Sequence, residues 1–189
     1  MSEMLRTFIC IELPNTLKSR LEALVAEVRA RCRESVNWVK PSNIHLTLRF
    51  LGDITLDRQA DARASVERAT AGIQPFTLTA TETGAFPNSR NARVLWIGIR
   101  NADAHLIPLQ KRLEKELEAA GFGKEDKPFS PHLTIGRARH GKASGAAEAL
   151  SQIGFDDETF RVEEIIVMRS ELKPSGAVYT RLATVRLEG

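Results

Sequence analysis

The sequence predicts an α+β fold with a mainly antiparallel sheet and an internal two-fold echo. Three observations carry this. Strand-like runs often follow one another directly, instead of alternating with helices as in a doubly wound sheet. The 189 residues are 42% hydrophobic and 27% charged, enough to bury a core for one domain of two closely packed lobes. One short motif occurs twice, once in each half of the chain, as expected for two similar lobes that face each other across a cleft. The whole chain, 1–189, is therefore expected to form a single domain.

The elements follow in order. Residues 5–13 are apolar and β-prone and predict a strand, ended by Pro14 and Asn15. Leu17, Leu21, Leu24, Val25, Val28 and Cys32 then recur at helical spacing and predict an amphipathic helix over 16–33. A short extended piece is expected at 35–39, and the alternation in 44–51 predicts a strand. Thr55 is the expected N-cap of a helix near 56–71, closed by Gly72. Residues 76–83 and 93–100 predict a hairpin with a long loop at Phe-Pro-Asn-Ser-Arg-Asn-Ala. Leu106, Leu109, Leu113 and Leu117 mark a helix that ends at Gly121. A strand at 132–138, an Ala-rich helix at 144–152, and strands at 160–169 and 178–187 complete the series, with a Pro-Ser-Gly turn at 174–176.

The repeated motif is Lys-Pro-Ser-Asn-Ile-His-Leu-Thr at 40–47 and Lys-Pro-Phe-Ser-Pro-His-Leu-Thr at 127–134. Side chains two apart on a strand share a face. His45 and Thr47 therefore share one face, and His132 and Thr134 another. Leu46, Leu48, Leu133 and Ile135 point the opposite way, into a core. If the lobes face each other, both His-Thr pairs line one cleft.

Two imidazoles can supply a general base for water and a general acid for a leaving oxygen, because histidine titrates near neutrality. Two threonine hydroxyls can donate to the non-bridging oxygens of a phosphoryl group as charge builds there. Neither motif contains Asp or Glu, which suits an anionic ligand and argues against a carboxylate-bound magnesium. Either histidine fits either role. A two-histidine zinc site lacks a third ligand at usable spacing. His105 and His140 have no such context and are expected at the surface.

Charge and cysteines bound the rest. The net charge is +3, with a pI near 9.1. Arginine outnumbers lysine 19 to 8, and its planar fork matches phosphate oxygens. The excess is too small for long-duplex binding and suits a local anion or a short stretch of RNA. Cys10 and Cys32 have no metal-ligand spacing and are expected as reduced, buried residues of a cytoplasmic protein. The N-terminal region carries Glu3 and only a short apolar stretch, Phe8 to Leu13, so no signal peptide is expected, and with no apolar run of membrane-spanning length no membrane partner is expected.

The paired motifs His-Leu-Thr-Leu (His45–Leu48) and His-Leu-Thr-Ile (His132–Ile135) resemble the signature of the 2H phosphoesterase superfamily. The likeness extends to Arg6–Ile9, to Trp-Val-Lys-Pro before the first motif, to Phe-Ser-Pro ahead of the second, and to Arg-Ser-Glu-Leu with Gly176 and Tyr179. Within the superfamily the chain resembles the RNA 2′,3′-cyclic phosphodiesterases, also called 2′-5′ RNA ligases.

The resemblance implies two pseudo-symmetric lobes, each an antiparallel sheet with outer helices, around a central cleft. It implies hydrolysis of RNA 2′,3′-cyclic phosphate ends to 2′-phosphomonoesters with no metal and no cofactor. His45 is then the proton donor and His132 the proton acceptor, assisted by Thr47 and Thr134. Arg137 becomes a candidate phosphate contact; Phe8 either stacks on a base or ribose or, as an aromatic in an apolar strand, packs in the core, and Tyr179 either borders the cleft or packs. Expected partners are RNA with cyclic phosphate ends, such as tRNA fragments, or cyclic nucleotides. Nothing demands more than a monomer. Two alternatives stay open: 2′-5′ ligation by the reverse reaction, and a non-catalytic module that binds RNA ends or nucleotides.

Overall fold

Alternation along the first strand shows how one sheet serves two purposes. The structure is a computed structural model and describes residues 4–100, 102, 104–174 and 176–188. In β1 (Met4–Glu12), Ile9 and Ile11 enter the main core, whereas Phe8 and Cys10 enter a second, smaller cluster with Ile166 and Met168. Both faces of this strand are covered, so it reads as an unbroken apolar run.

The chain continues through α1 (Asn15–Arg31), β2 (Val36–Trp38), a 3-10 turn (Pro41–Asn43), β3 (His45–Thr55) and α2 (Leu56–Thr70). Then come β4 (Phe76–Phe86), a second 3-10 turn (Ser89–Asn91), β5 (Val94–Arg100) and α3 (Leu106–Ala119). The last elements are β6 (His132–Ala138), α4 (Ser144–Ile153), β7 (Glu158–Val162), β8 (Glu164–Lys173) and β9 (Gly176–Arg186).

The strands form one antiparallel sheet in the order β7-β4-β5-β6-β3-β1-β8-β9, with β2 added on β6. Its two halves, β7-β4-β5-β6 and β3-β1-β8-β9, meet where Leu46 pairs with Leu133. Only Glu163 separates β7 from β8, yet these strands lie toward opposite ends of the order. The sheet must therefore curl until its ends approach each other.

Helices cover one face of the sheet. α1 and α4 pack together behind the β4-β7 half, where Arg20 of α1 pairs with Glu158 of β7 at 2.5 Å. α2 and α3 pack together behind the other half, joined by Arg68 and Glu116, and Gln59 of α2 donates to the Leu182 carbonyl of β9. The opposite face of the sheet carries the small apolar cluster and both motifs. Among the described residues, no helix is long and apolar enough to cross a membrane.

Several sequence expectations need correction. The strand expected at 160–169 is two strands, because β7 pairs with β4 and β8 with β1. β4 runs on to Phe86 past an irregularity at Glu82, the one described non-glycine residue with positive φ, so the hairpin loop is shorter than expected. α1 ends at Arg31; Cys32 is its extended C-cap and is only partly buried. Thr55 precedes α2, but its side chain makes no capping hydrogen bond. Ser175, in the expected turn at 174–176, lies outside the described residues.

Candidate active site

The single pairing between the two halves of the sheet organises the site. Leu46 faces Leu133 in the antiparallel β3–β6 contact. Carrying that register one residue each way sets His45 across from Thr134 and Thr47 across from His132. Residues directly opposite in an antiparallel pair share a face, so all four side chains project from the same side of the sheet. The two histidines stand on the diagonal, at a Cα separation of roughly 7–8 Å. Leu46 and Leu133 are fully buried on the other side, beneath the helices, and anchor the arrangement.

Each imidazole is held in the same way. His45 Nδ1 lies 2.8 Å from the Asn43 carbonyl, and His132 Nδ1 lies 2.7 Å from the Ser130 carbonyl. In each case the acceptor belongs to the residue two positions earlier. A carbonyl can only accept, so Nδ1 carries the proton and Nε2 is left as the working nitrogen. The Asn43 side chain in turn donates to the Ala177 carbonyl at 2.7 Å, tying this turn to β9.

Aromatic rings fix the imidazole planes. The Phe8 ring stacks on His45 with centroids 4.6 Å apart, and Tyr179 meets His45 edge-on at 5.3 Å. On the other side, Phe86 meets His132 edge-on at 5.0 Å and is backed by Trp96 at 5.2 Å. The Trp96 ring lies over Gly84, where a Cβ would overlap the indole.

Electrostatics separate the two histidines. Burial pushes the His45 pKa below the usual imidazole value; the Asn43 carbonyl and the Glu12 carboxylate oppose that shift, and Lys18 adds to it. Burial also pushes His132 down; the Ser130 carbonyl opposes the shift and Arg137 reinforces it. Glu12 faces His45 in the β1–β3 ladder, and Arg137 lies on the same strand as His132. His45 thus has an anionic neighbour, Glu12, whose effect ranks ahead of the opposing Lys18, whereas the charged neighbour of His132 is the cationic Arg137.

The remaining sequence candidates fall around this centre. Thr47 and Thr134 are half-buried, and neither hydroxyl has a hydrogen-bond partner among the described residues. Arg137, exposed on β6, is close enough for its charge to act on both His132 and the Tyr179 hydroxyl. Burial raises the Tyr179 pKa, with Cys10 adding to the rise while Arg137 and Arg6 oppose it. Phe8 is buried under His45, so its ring supports the imidazole and is not free to receive a base. Burial drives the Cys10 thiol pKa far up, which removes it as a nucleophile. Among the described residues, no three His, Cys, Asp or Glu side chains gather as a metal set.

Phe86 and Trp96 are additions that sequence reading missed. Phe86 fell in the stretch expected as loop, and no periodicity ties either ring to a histidine far along the chain. Glu12 was likewise passed over as the end of an apolar strand. Only the sheet register, Glu12 opposite His45 and Trp96 opposite Thr134, reveals them.

A curled antiparallel sheet with outer helices, carrying two matched His-x-Thr strands side by side, defines a two-histidine phosphoesterase. The chain belongs to the LigT-like phosphoesterase family, whose model matches residues 11–96 and 97–179. Each match holds one motif, with its histidine 34 and 35 residues after the match begins. The chain is 30% identical over 184 residues to an RNA 2′,3′-cyclic phosphodiesterase of Methanothermobacter thermautotrophicus, covering 96% of this chain and 98% of the relative. It is 33% identical over 192 residues to a Thermus thermophilus protein of the same name, covering 98% and 91%. A crystal structure of a Thermus thermophilus protein has the same fold, with a TM-score of 0.80 at 28% identity over 98% of this chain and 99% of that one.

Proposed function

We propose that this protein opens 2′,3′-cyclic phosphates at RNA ends to 2′-phosphomonoesters, with His45 as general acid and His132 as general base. The observation that carries the reading is the pair of imidazoles held alike at Nδ1, with the Glu12 carboxylate opposite His45 in the ladder, where it outranks Lys18, and the Arg137 guanidinium on the His132 strand. A carboxylate favours the protonated ring and a guanidinium the neutral one. The similarly named relatives supply the substrate class.

In the proposed step, neutral His132 takes a proton from water through Nε2 as the water oxygen bonds to phosphorus. The bond from phosphorus to O3′ breaks, and protonated His45 delivers its proton to O3′. The phosphate stays on O2′. Thr47 and Thr134 donate to the non-bridging oxygens, and the Arg137 charge offsets the negative charge that builds there. Leu46 and Leu133 hold the two strands in register, and in the proposed step the acid and the base flank the phosphorus from the two motifs. The histidines finish with exchanged protonation states and reset through solvent.

The test is incubation of a 2′,3′-cyclic-ended oligonucleotide in EDTA, followed by identification of the phosphate position. A 2′-phosphate product is expected. Tight binding without turnover between pH 5 and 9, or a 3′-phosphate product, would overturn the reading.

A further inference from the structure

Charge is distributed very unevenly between the two sides of the cleft. Residues 83–102 and 127–147 contain seven Lys and Arg residues and no Asp or Glu. The rest of the chain holds 20 basic against 24 acidic residues. The two acid-free stretches are neighbours in space, because they supply β5 and β6, which pair with each other. The small positive excess of the whole protein is therefore concentrated in these two stretches, where Arg100 is paired with Asp157 while Arg93 and Lys142 have no such partner among the described residues.

Part of that surface is an open groove of about 740 Å³ lined by Pro87, Asn91, Arg93, Gly141 and Lys142. It begins one residue beyond Phe86, whose ring touches His132. Arg93 and Lys142 are exposed, and neither has a carboxylate partner among the described residues. Most arginines on the opposite half and the helices are paired; Arg181, for instance, engages Glu12 and Glu164. The groove walls are also braced. The Arg93 amide donates to the Phe86 carbonyl at 2.7 Å, the Ala143 amide to the Ala92 carbonyl at 2.8 Å, and the Ser144 hydroxyl to the Arg90 carbonyl at 2.7 Å. Unpaired cations are suited to an anionic chain, and the fixed backbone spares the loop's own ordering cost on binding, leaving only that of the two side chains.

We infer that this groove holds the phosphodiester backbone of a single-stranded RNA whose cyclic end lies at the two histidines, with Arg93 and Lys142 on successive phosphates. The inference rests on the proposed function and adds the path that the RNA strand behind the cyclic end takes across the protein. Each phosphate neutralised on a single strand contributes about −0.7 to the slope of log K against log salt. Two contacts give a slope of about −1.4, or about a sevenfold loss of affinity between 50 and 200 mM KCl.

The test is fluorescence anisotropy with a labelled single-stranded RNA decamer ending in a 2′-phosphate, compared with competition by a 2′-phosphate mononucleotide. The decamer should bind the wild type more tightly, and its Kd should rise about sevenfold more than that of the mononucleotide over this salt range. The double variant R93Q/K142Q should lose that surplus and leave mononucleotide binding unchanged. The variant K111Q/K115Q, with the same charge change on exposed positions of α3, should leave both unchanged. Equal affinity and salt slope for decamer and mononucleotide, or an equal loss in the α3 variant, would overturn the inference. Because binding is read without turnover, a protein that binds the decamer this way but hydrolyses nothing would refute the proposed reaction and leave the groove standing.

Discussion

Replacing Glu12 by glutamine tests which histidine is the acid. Glu12 lies directly opposite His45 in the β1–β3 ladder. Opposite side chains on such a pair begin about 5 Å apart at Cβ, which places the carboxylate roughly 6 Å from the ring. Its side chain is 26% exposed and also engages Arg181, so the interaction is partly screened. At an effective dielectric of about 40–80 the attraction is about 0.7–1.4 kcal/mol, and Arg181 reduces it to about 0.5–1 kcal/mol. Losing that attraction lowers the His45 pKa further in the variant, and the energy corresponds to about a 2.5- to 5-fold smaller protonated fraction. Arg181 keeps Glu164 at 3.0 Å, so the substitution leaves it paired.

The assay is kcat/KM in absolute units from pH 4.5 to 9 on a cyclic-ended dinucleotide. Well above both histidine pKa values, the rate falls in proportion to the protonated acid. The variant should therefore be about 2.5- to 5-fold slower there if His45 is the acid. Well below both values the rate follows the neutral base, His132, and should not change. If His45 is instead the base, its lower pKa raises the low-pH rate by the same factor and leaves the high-pH rate alone. That second pattern would refute the assignment.

Burial lowers both histidines from 6.5, so the bell-shaped kcat/KM profile, which peaks midway between their pKa values, should centre below pH 6.5. His45→Ala and His132→Ala should each lose roughly 10²–10⁴ in rate while keeping the wild-type circular dichroism, and full activity in either would refute the pair. Gly84→Ala should displace Trp96 and with it Phe86, lowering kcat by roughly tenfold or more with little effect on KM. Arg49 is buried just after the first motif, with Nη1 at 3.0 Å from Glu125 and Nη2 at 3.1 Å from the Gly123 carbonyl. Arg49→Ala should cost about 1–3 kcal/mol of stability, seen as a lower urea midpoint, because the partly buried Glu114 loses its ion pair while keeping Gln110 as a partner, and the loop leading to the second motif is freed.

Local pattern carried much of the fold. β3 and β6 were legible because His-Leu-Thr-Leu and His-Leu-Thr-Ile alternate with the two-residue period of a strand. The leucine spacing of α3 was equally plain. The boundary between β7 and β8 was not, because Glu163 interrupts a run of strand-forming residues without any turn signal; the break exists because its two sides pair with different partners.

The same division applies to the site. By itself the sequence determined which four side chains share the two motif faces, since strand periodicity is a property of neighbouring residues. Only the tertiary structure decided that Leu46 meets Leu133, that Glu12 faces His45 while Arg137 attends His132, and that Phe86 and Trp96 support the second imidazole. These are matters of register between strands far apart in the chain. Register is set when a curled sheet buries its apolar face against the helices, and no local pattern records it.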